Sequence, residues 1–239
     1  VSEPVNRVTN EISELADGLA FVESFSHCAI FDTGEGLMCF DASGAGSGKD
    51  VVKSIRSWRT APISNLIYTH GHADHIGGSF AFAADAAERN HPKPHVIGHE
   101  NVNTRIDRYT QTSDWNIRIN QRQFGGIRSD MGLNIGENLL RFLPRSTMRP
   151  DETFRETHKF TAGATTIELH HARGETDDHL WAWLPEKKWL FAGDFIIWNY
   201  PNAGNPQKVQ RYAFEWAQAL RRMVAQGPEL LVPAHGLPI

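Results

Sequence analysis

The sequence predicts an α/β domain made of two sheets packed together with helices outside. Three observations lead there. Short apolar runs come in two sequential groups, each followed by helical segments. A chain of 239 residues with 40% hydrophobic content can fill one substantial core, so a single domain over 1–239 is expected. No apolar run approaches the ~20 residues that a membrane helix needs.

The elements follow in order. Residues 19–25, 27–33 and 36–41 are aromatic and apolar runs that read as a β-meander, with Thr33-Gly34-Glu35-Gly36 turning between the last two. A Gly/Ser loop at 43–48 leads to a helix at 49–58, and 64–68 is another short strand. After Gly77-Gly78 an Ala/Phe-rich helix runs to about Arg89, and 94–98 is a strand. From 99 to 141 the chain is polar, Arg/Asn/Gln-rich and expected to be helical in pieces. Strands return at 165–171, 179–184 and 188–192. The helix expected at 208–226 has Phe214, Ala217, Leu220, Met223 and Val224 as its apolar stripe, and a last strand at 229–232 leads into Pro233-Ala234-His235-Gly236.

A net charge of −4 argues against a nucleic-acid partner, and a small-molecule substrate is expected instead. Cys28 and Cys39 are too few for a disulfide scaffold and read as buried free thiols. The N-terminus lacks the charged and apolar regions of a signal peptide, which leaves cytoplasm and periplasm both open.

The chemistry is concentrated in Thr69-His70-Gly71-His72-Ala73-Asp74-His75-Ile76-Gly77-Gly78, between a strand and a helix. His70 and His72 point the same way if strand geometry persists, while Asp74 and His75 fall in the turn that follows. Gly71 and Ala73 let the backbone approach an ion. Imidazole with carboxylate is a donor set suited to zinc, with iron or manganese open.

This pattern resembles the metallo-β-lactamase superfamily, which implies an αβ/βα sandwich with two divalent metal ions at one edge of the sheets. Phe191-Ala192-Gly193-Asp194 is similar to the family's strand-ending Gly-Asp, whose carboxylate bridges the metals. Val232-Pro233-Ala234-His235-Gly236 is similar to its terminal Pro-x-His-Gly, a ligand of the second metal. Asp41 matches the family's early aspartate, which orients ligands from behind, and His179 is a candidate for the same work.

One stretch departs from the common pattern. Where most members carry a histidine, this chain has Ala172-Arg173-Gly174-Glu175-Thr176-Asp177-Asp178-His179. A glutamate there, with the 99 residues between His75 and Glu175 (76 to 174), resembles the alkyl sulfatase branch and its helical insertion, here around 99–141. The resemblance implies His70, His72 and Glu175 on the first metal. It implies Asp74, His75 and His235 on the second, with Asp194 and a water bridging. His171 competes with Glu175 for its place.

That branch holds its sulfate with an asparagine and an arginine. The matching stretch keeps Asn202 but has Gln207 at the arginine position, with Lys208 beside it; an ammonium does not reproduce a guanidinium fork. Asn202 and Lys208 are the substrate-contact candidates, while Arg118 and Arg122 read as surface residues. Trp198, just past Asp194, is a further candidate to face substrate.

The implied activity is hydrolysis of an ester such as an alkyl sulfate by a hydroxide bridging two metals, with Asp74 and Asp194 as the catalytic carboxylates. A lactonase or β-lactamase-like hydrolase is the alternative, and a non-enzymatic metal-binding module a more remote one. The alkyl sulfatase branch dimerises through a helical region beyond the last motif, so a homodimer is a further expectation. Because the sequence stops three residues after Gly236, a shortened homologue or a piece of a longer chain is expected.

Overall fold

The computed structural model describes residues 8–123, 141–198 and 211–239. Its first sheet contains β1 (Glu11–Ala16), β2 (Leu19–Glu23), β3 (Cys28–Asp32), β4 (Leu37–Phe40), β5 (Ile63–Ile67), β6 (His95–His99) and β7 (Glu152–Phe154), side by side in chain order. The first four pair antiparallel, and β4 to β7 pair parallel. Parallel neighbours need crossovers. These are α1 (Gly48–Trp58), then α2 (Ala73–Ile76) with α3 (Ser79–Glu88), then α4 (Asn101–Gln111) with α5 (Ser113–Gln123).

The second sheet holds β8 (Thr157–Ala162), β9 (Thr165–His171), β10 (Leu180–Leu184), β11 (Trp189–Ile197) and β12 (Leu230–His235), in the order β12-β11-β10-β9-β8. Helix α6 (Ala213–Ala225) crosses from β11 to its parallel partner β12. Leu231 and Ile239 exchange backbone hydrogen bonds, which covers part of the β12 edge.

Period-2 alternation sorts the apolar side chains into layers. Phe21, Phe31 and Phe40 face the second sheet and meet Leu169, Ala182 and Phe191 there. Phe40 and Phe191 stack at 3.9 Å between centroids, joining the two sheets directly. The alternate residues Val22, Ile30 and Cys39 face Ile55, Phe82 and Val102 on the outer helices. Beyond the second sheet, Trp181 and Trp183 pack with Trp216 and Met223 of α6. The result is a helix–sheet–sheet–helix sandwich, and both cysteines are buried and free.

Three strands were not anticipated: β1, β7 and β8. Each lies at a sheet edge, is partly exposed and carries polar residues, so none shows an apolar run. The stripe expected on the last helix is also corrected. Phe214 and Val224 are 71% and 76% exposed, and Trp216, Ala219 and Met223 form the buried face. The expected start at 208 lies outside the described residues, as do residues 124–140 of the helical insertion.

Candidate metal centre

Strand β5 ends at Ile67, so His70 and His72 do not point together by strand alternation, as the sequence suggested. They converge through the loop that follows, and His72 stands immediately before α2. Nε2 of His70 and Nδ1 of His72 come within 2.9 Å. Glu175 Oε2 lies 3.5 Å from both nitrogens, and Asp194 Oδ2 lies 3.9 Å from His70 Nε2. These four residues form one donor group that could hold a metal ion. Asp74, His75 and His235 form a second. Asp74 Oδ2 is 3.5 Å from His75 Nε2 and 3.3 Å from His235 Nε2. Asp194 lies between the groups, with Oδ2 3.4 Å from His75 Nε2 and Oδ1 3.5 Å from His235 Nε2.

These spacings suit an ion. Bonds of ~2.0–2.1 Å in a tetrahedron put neighbouring donor atoms about 3.3–3.4 Å apart. His75 Nε2, Glu175 Oε2 and Asp194 Oδ1 are buried without a hydrogen-bond partner, although all three residues belong to the donor groups. Burial keeps two of the donor imidazoles neutral, lowering His70 well below the usual histidine range and His72 to about 3. Burial also opposes charge on Asp74, but His75 and His235 outweigh it and hold that carboxyl well below its usual range. His75 shows the reverse balance: burial lowers it, and Asp194, Asp74 and Asp41 raise it further. Such a pocket favours cations.

The residues behind the donors fix their orientation. Asp41 accepts the Thr69 N–H through Oδ1 at 2.8 Å, and the Thr69 hydroxyl through Oδ2 at 2.6 Å. The same Oδ2 lies 2.8 Å from Nδ1 of His75, so in the neutral ring the hydrogen-bond network assigns the proton to Nδ1 and leaves Nε2 bare. With its own proton donated to Asp41, Thr69 Oγ1 can accept from Nδ1 of His70 at 3.2 Å, which leaves Nε2 of His70 bare too. His179 is fully buried, and its Nε2 accepts the Asp194 N–H at 3.1 Å. Gly193 holds φ 53°, and a Cβ there would lie 2.9 Å from His179 Nε2. That explains the glycine before Asp194.

Glu175 enters the first donor group and His171 does not. His171 stacks on His99 at 3.9 Å and points Nδ1 at the His179 carbonyl. Asn202, Gln207 and Lys208 lie outside the described residues. Arg118 and Arg122 are exposed. Trp198 is 49% exposed and donates through Nε1 to the Leu237 carbonyl, beside His235-Gly236.

Three groups escaped the sequence reading. Arg211 pairs through Nη1 with Glu175 Oε1, four residues past the position where an arginine was sought. Its guanidinium is largely buried, which lowers it to about 10 and leaves it charged at neutral pH. His27 ties the last loop through Nε2 to the Gly236 carbonyl at 2.9 Å, and Ser26 Oγ lies 3.0 Å from His75 Nδ1. Arg105 and Asp178 meet beneath Gly71. Arg211 alone had a signal, the arginine of the resembled branch; for the others none was visible.

A family model described as the metallo-beta-lactamase superfamily matches residues 22–235. The chain is 25% identical over 229 residues to a linear primary-alkylsulfatase from Pseudomonas sp. (strain ATCC 19151), covering 91% of this chain and 41% of that protein. Among solved structures, a stereoselective inverting sec-alkylsulfatase from Pseudomonas sp. superposes with a TM-score of 0.75 at 18% identity, covering 96% of this chain and 39% of that one. A metallo-beta-lactamase from Pontibacter korlensis gives 0.60 at 21% identity, covering 95% and 92%. The chain thus spans about two fifths of the alkylsulfatases it matches. The family match takes in both donor groups and the sandwich that carries them: this chain belongs to the metallo-beta-lactamase superfamily, whose members are generally hydrolases.

Proposed function

We propose that the chain is a binuclear metallohydrolase acting on an anionic ester, with an alkyl sulfate as the first substrate to try. His70, His72 and Glu175 would hold one ion, Asp74, His75 and His235 the other, and Asp194 would serve both. Two divalent ions there would supply Lewis-acid charge and bring the pKa of a shared water toward ~7. Zinc suits these donors best.

The chain's own residues set the geometry and the charge. Four imidazoles and three carboxylates leave the donor set at −3, which two divalent ions overcompensate by one charge. Asp74 has the most exposed of the three carboxylate side chains, at 18% against 10% and 7%, and is the one best placed to take a proton from the attacking water. Asp41 and His179 hold donors in orientation without facing the substrate. Sulfate-ester hydrolysis consumes one water and yields an alcohol and hydrogen sulfate.

The observation that carries the anionic-ester reading is Arg211 at Glu175, a guanidinium placed against the donor set. A guanidinium can grip a sulfate through two parallel hydrogen bonds. The likeness to a linear primary-alkylsulfatase supports the same choice. Metal analysis with turnover of dodecyl sulfate, a lactone and a β-lactam tests it. Two metals per chain and preferential sulfate release are expected. Absence of stoichiometric metal, or full activity in His72→Ala, refutes the metallohydrolase reading; turnover of the lactone or the β-lactam alone refutes the substrate class.

A further inference from the structure

The two donor groups share Asp41, which faces His75 directly and His70 through Thr69, but each also has supports of its own. His75 is held by Asp41 and Ser26, and the His235 loop by His27 at Gly236. In the first group, Thr69 faces His70 and His179 holds Asp194, while one buried carboxylate joins the segments of His70, His72 and Glu175. Asp178 is fully buried, and its Oδ2 accepts the Gly71 N–H at 3.0 Å and the Arg105 Nε–H at 2.9 Å. Gly71 lies between His70 and His72, and Asp178 lies three residues after Glu175. One oxygen therefore ties together the two chain segments that carry three of the four donors. The neighbouring backbone repeats the tie, since the Leu180 N–H donates to the Thr69 carbonyl at 2.7 Å.

Arg105 comes from α4, in the insertion after β6. Its Nη2 reaches Asp177 Oδ1, and Asn101 of the same helix donates to the Asp177 carbonyl at 3.3 Å. Arg105 also overcomes the burial of Asp178 and keeps it ionised, well below the usual carboxylate range. The fit leaves no slack. A Cβ on Gly71 would lie 2.7 Å from Asp178 Oδ2 and 2.9 Å from Arg105 Cδ.

We infer that Arg105 and Asp178 are positioning residues that set the metal affinity of the first donor group separately from the second. This rests on reading the two groups as metal sites. A buried ion pair serving the core alone would affect stability, or both sites together. A pair acting through Gly71 and the Glu175 loop acts on one site.

The experiment compares the intact chain with Asp178→Asn, Arg105→Lys and Asp177→Asn. Stepwise Zn2+ affinities come from chelator competition, and Co2+ absorption reports each site's geometry. Circular dichroism and urea unfolding report the fold. In Asp178→Asn one of two affinities should fall ~10–100-fold, the range seen when such supporting partners are lost, and the other by less than about twofold. The weakened Co2+ band should be the one that His72→Ala removes. Arg105→Lys should give a smaller loss at that site, because an ammonium cannot span both aspartates as a guanidinium does. Asp177→Asn, which leaves Gly71 untouched, should bind both ions normally. If Asp178→Asn fails to fold, Arg105→Lys alone decides the matter by the same readout. If the intact chain binds two ions and the variants bind both unchanged, or lose both alike, the inference falls and the metal reading stands. If the intact chain binds no stoichiometric ion, both fall.

Discussion

Asp41 Oδ2 stands 2.8 Å from His75 Nδ1, and the aspartate that provides it has a left-handed backbone at φ 61°. Asparagine tolerates that conformation, so Asp41→Asn should fold. It would nonetheless place an amide donor where His75 and Thr69 both need an acceptor. His75 would then carry its proton on Nε2, the atom that must be bare to bind an ion. We expect metal affinity to drop ~10–100-fold at the His75 site and, through Thr69, to fall at the His70 site as well, with unchanged circular dichroism. Chelator competition measures it.

Arg211 should act on the substrate's charge. A hydrogen bond to a charged group contributes about 1.5–3 kcal/mol, so Arg211→Ala should raise KM for dodecyl sulfate by roughly 10–100-fold. KM for an uncharged lactone should change by less than about threefold. Steady-state kinetics on both substrates checks this, and equal losses on the two would count against a role in anion recognition.

His27 makes stability depend on pH. Nδ1 accepts the Ser24 N–H, so Nε2 carries the proton donated to Gly236, and the neutral ring satisfies both bonds. Burial, then the neighbouring His235, lower it from 6.5 to about 4. Between those values the unfolded chain binds the proton and the folded chain does not. Stability is therefore lost as pH falls from 6.5 to 4, by an amount of order 3 kcal/mol. His27→Gln should be less stable than the parent at pH 7, and the gap should narrow toward pH 4. Urea titrations of the metal-free chain across that range test it.

Phe191 joins the two sheets through its stack on Phe40, three residues before Asp194. Phe191→Ala should cost about 3–5 kcal/mol, seen as a lower urea midpoint. Phe191→Leu, which leaves a smaller void, should cost less.

Much of this molecule was legible in the residues. The 70–75 cluster, the glycine before Asp194 and the Pro-x-His ending stand at strand ends, where short apolar runs make the strands easy to place. Edge strands β1, β7 and β8 were not legible, because a strand paired on one side and wet on the other keeps its polar residues. The α6 stripe was shifted because Phe214 looks like a core residue by type, whereas packing against Trp181, Trp183 and Phe195 turns Trp216, Ala219 and Met223 inward.

By itself, the sequence determined the two-sheet sandwich and the six-residue segment holding His70, His72, Asp74 and His75, since local periodicity and adjacent donors need no long-range information. Tertiary structure brought Glu175, which the resemblance had implied, into the first donor group and left its competitor His171 outside. It also decided that Arg211 closes on that glutamate, and that Arg105 and Asp178 meet beneath Gly71. These groups are separated by 34 to 107 positions (Arg211 from Glu175 by 36, Asp178 from Gly71 by 107, Gly71 from Arg105 by 34). Nothing local marks such partners. Only packing the two sheets brings their strand ends to one edge, and burial then demands that each charge there find its counterpart.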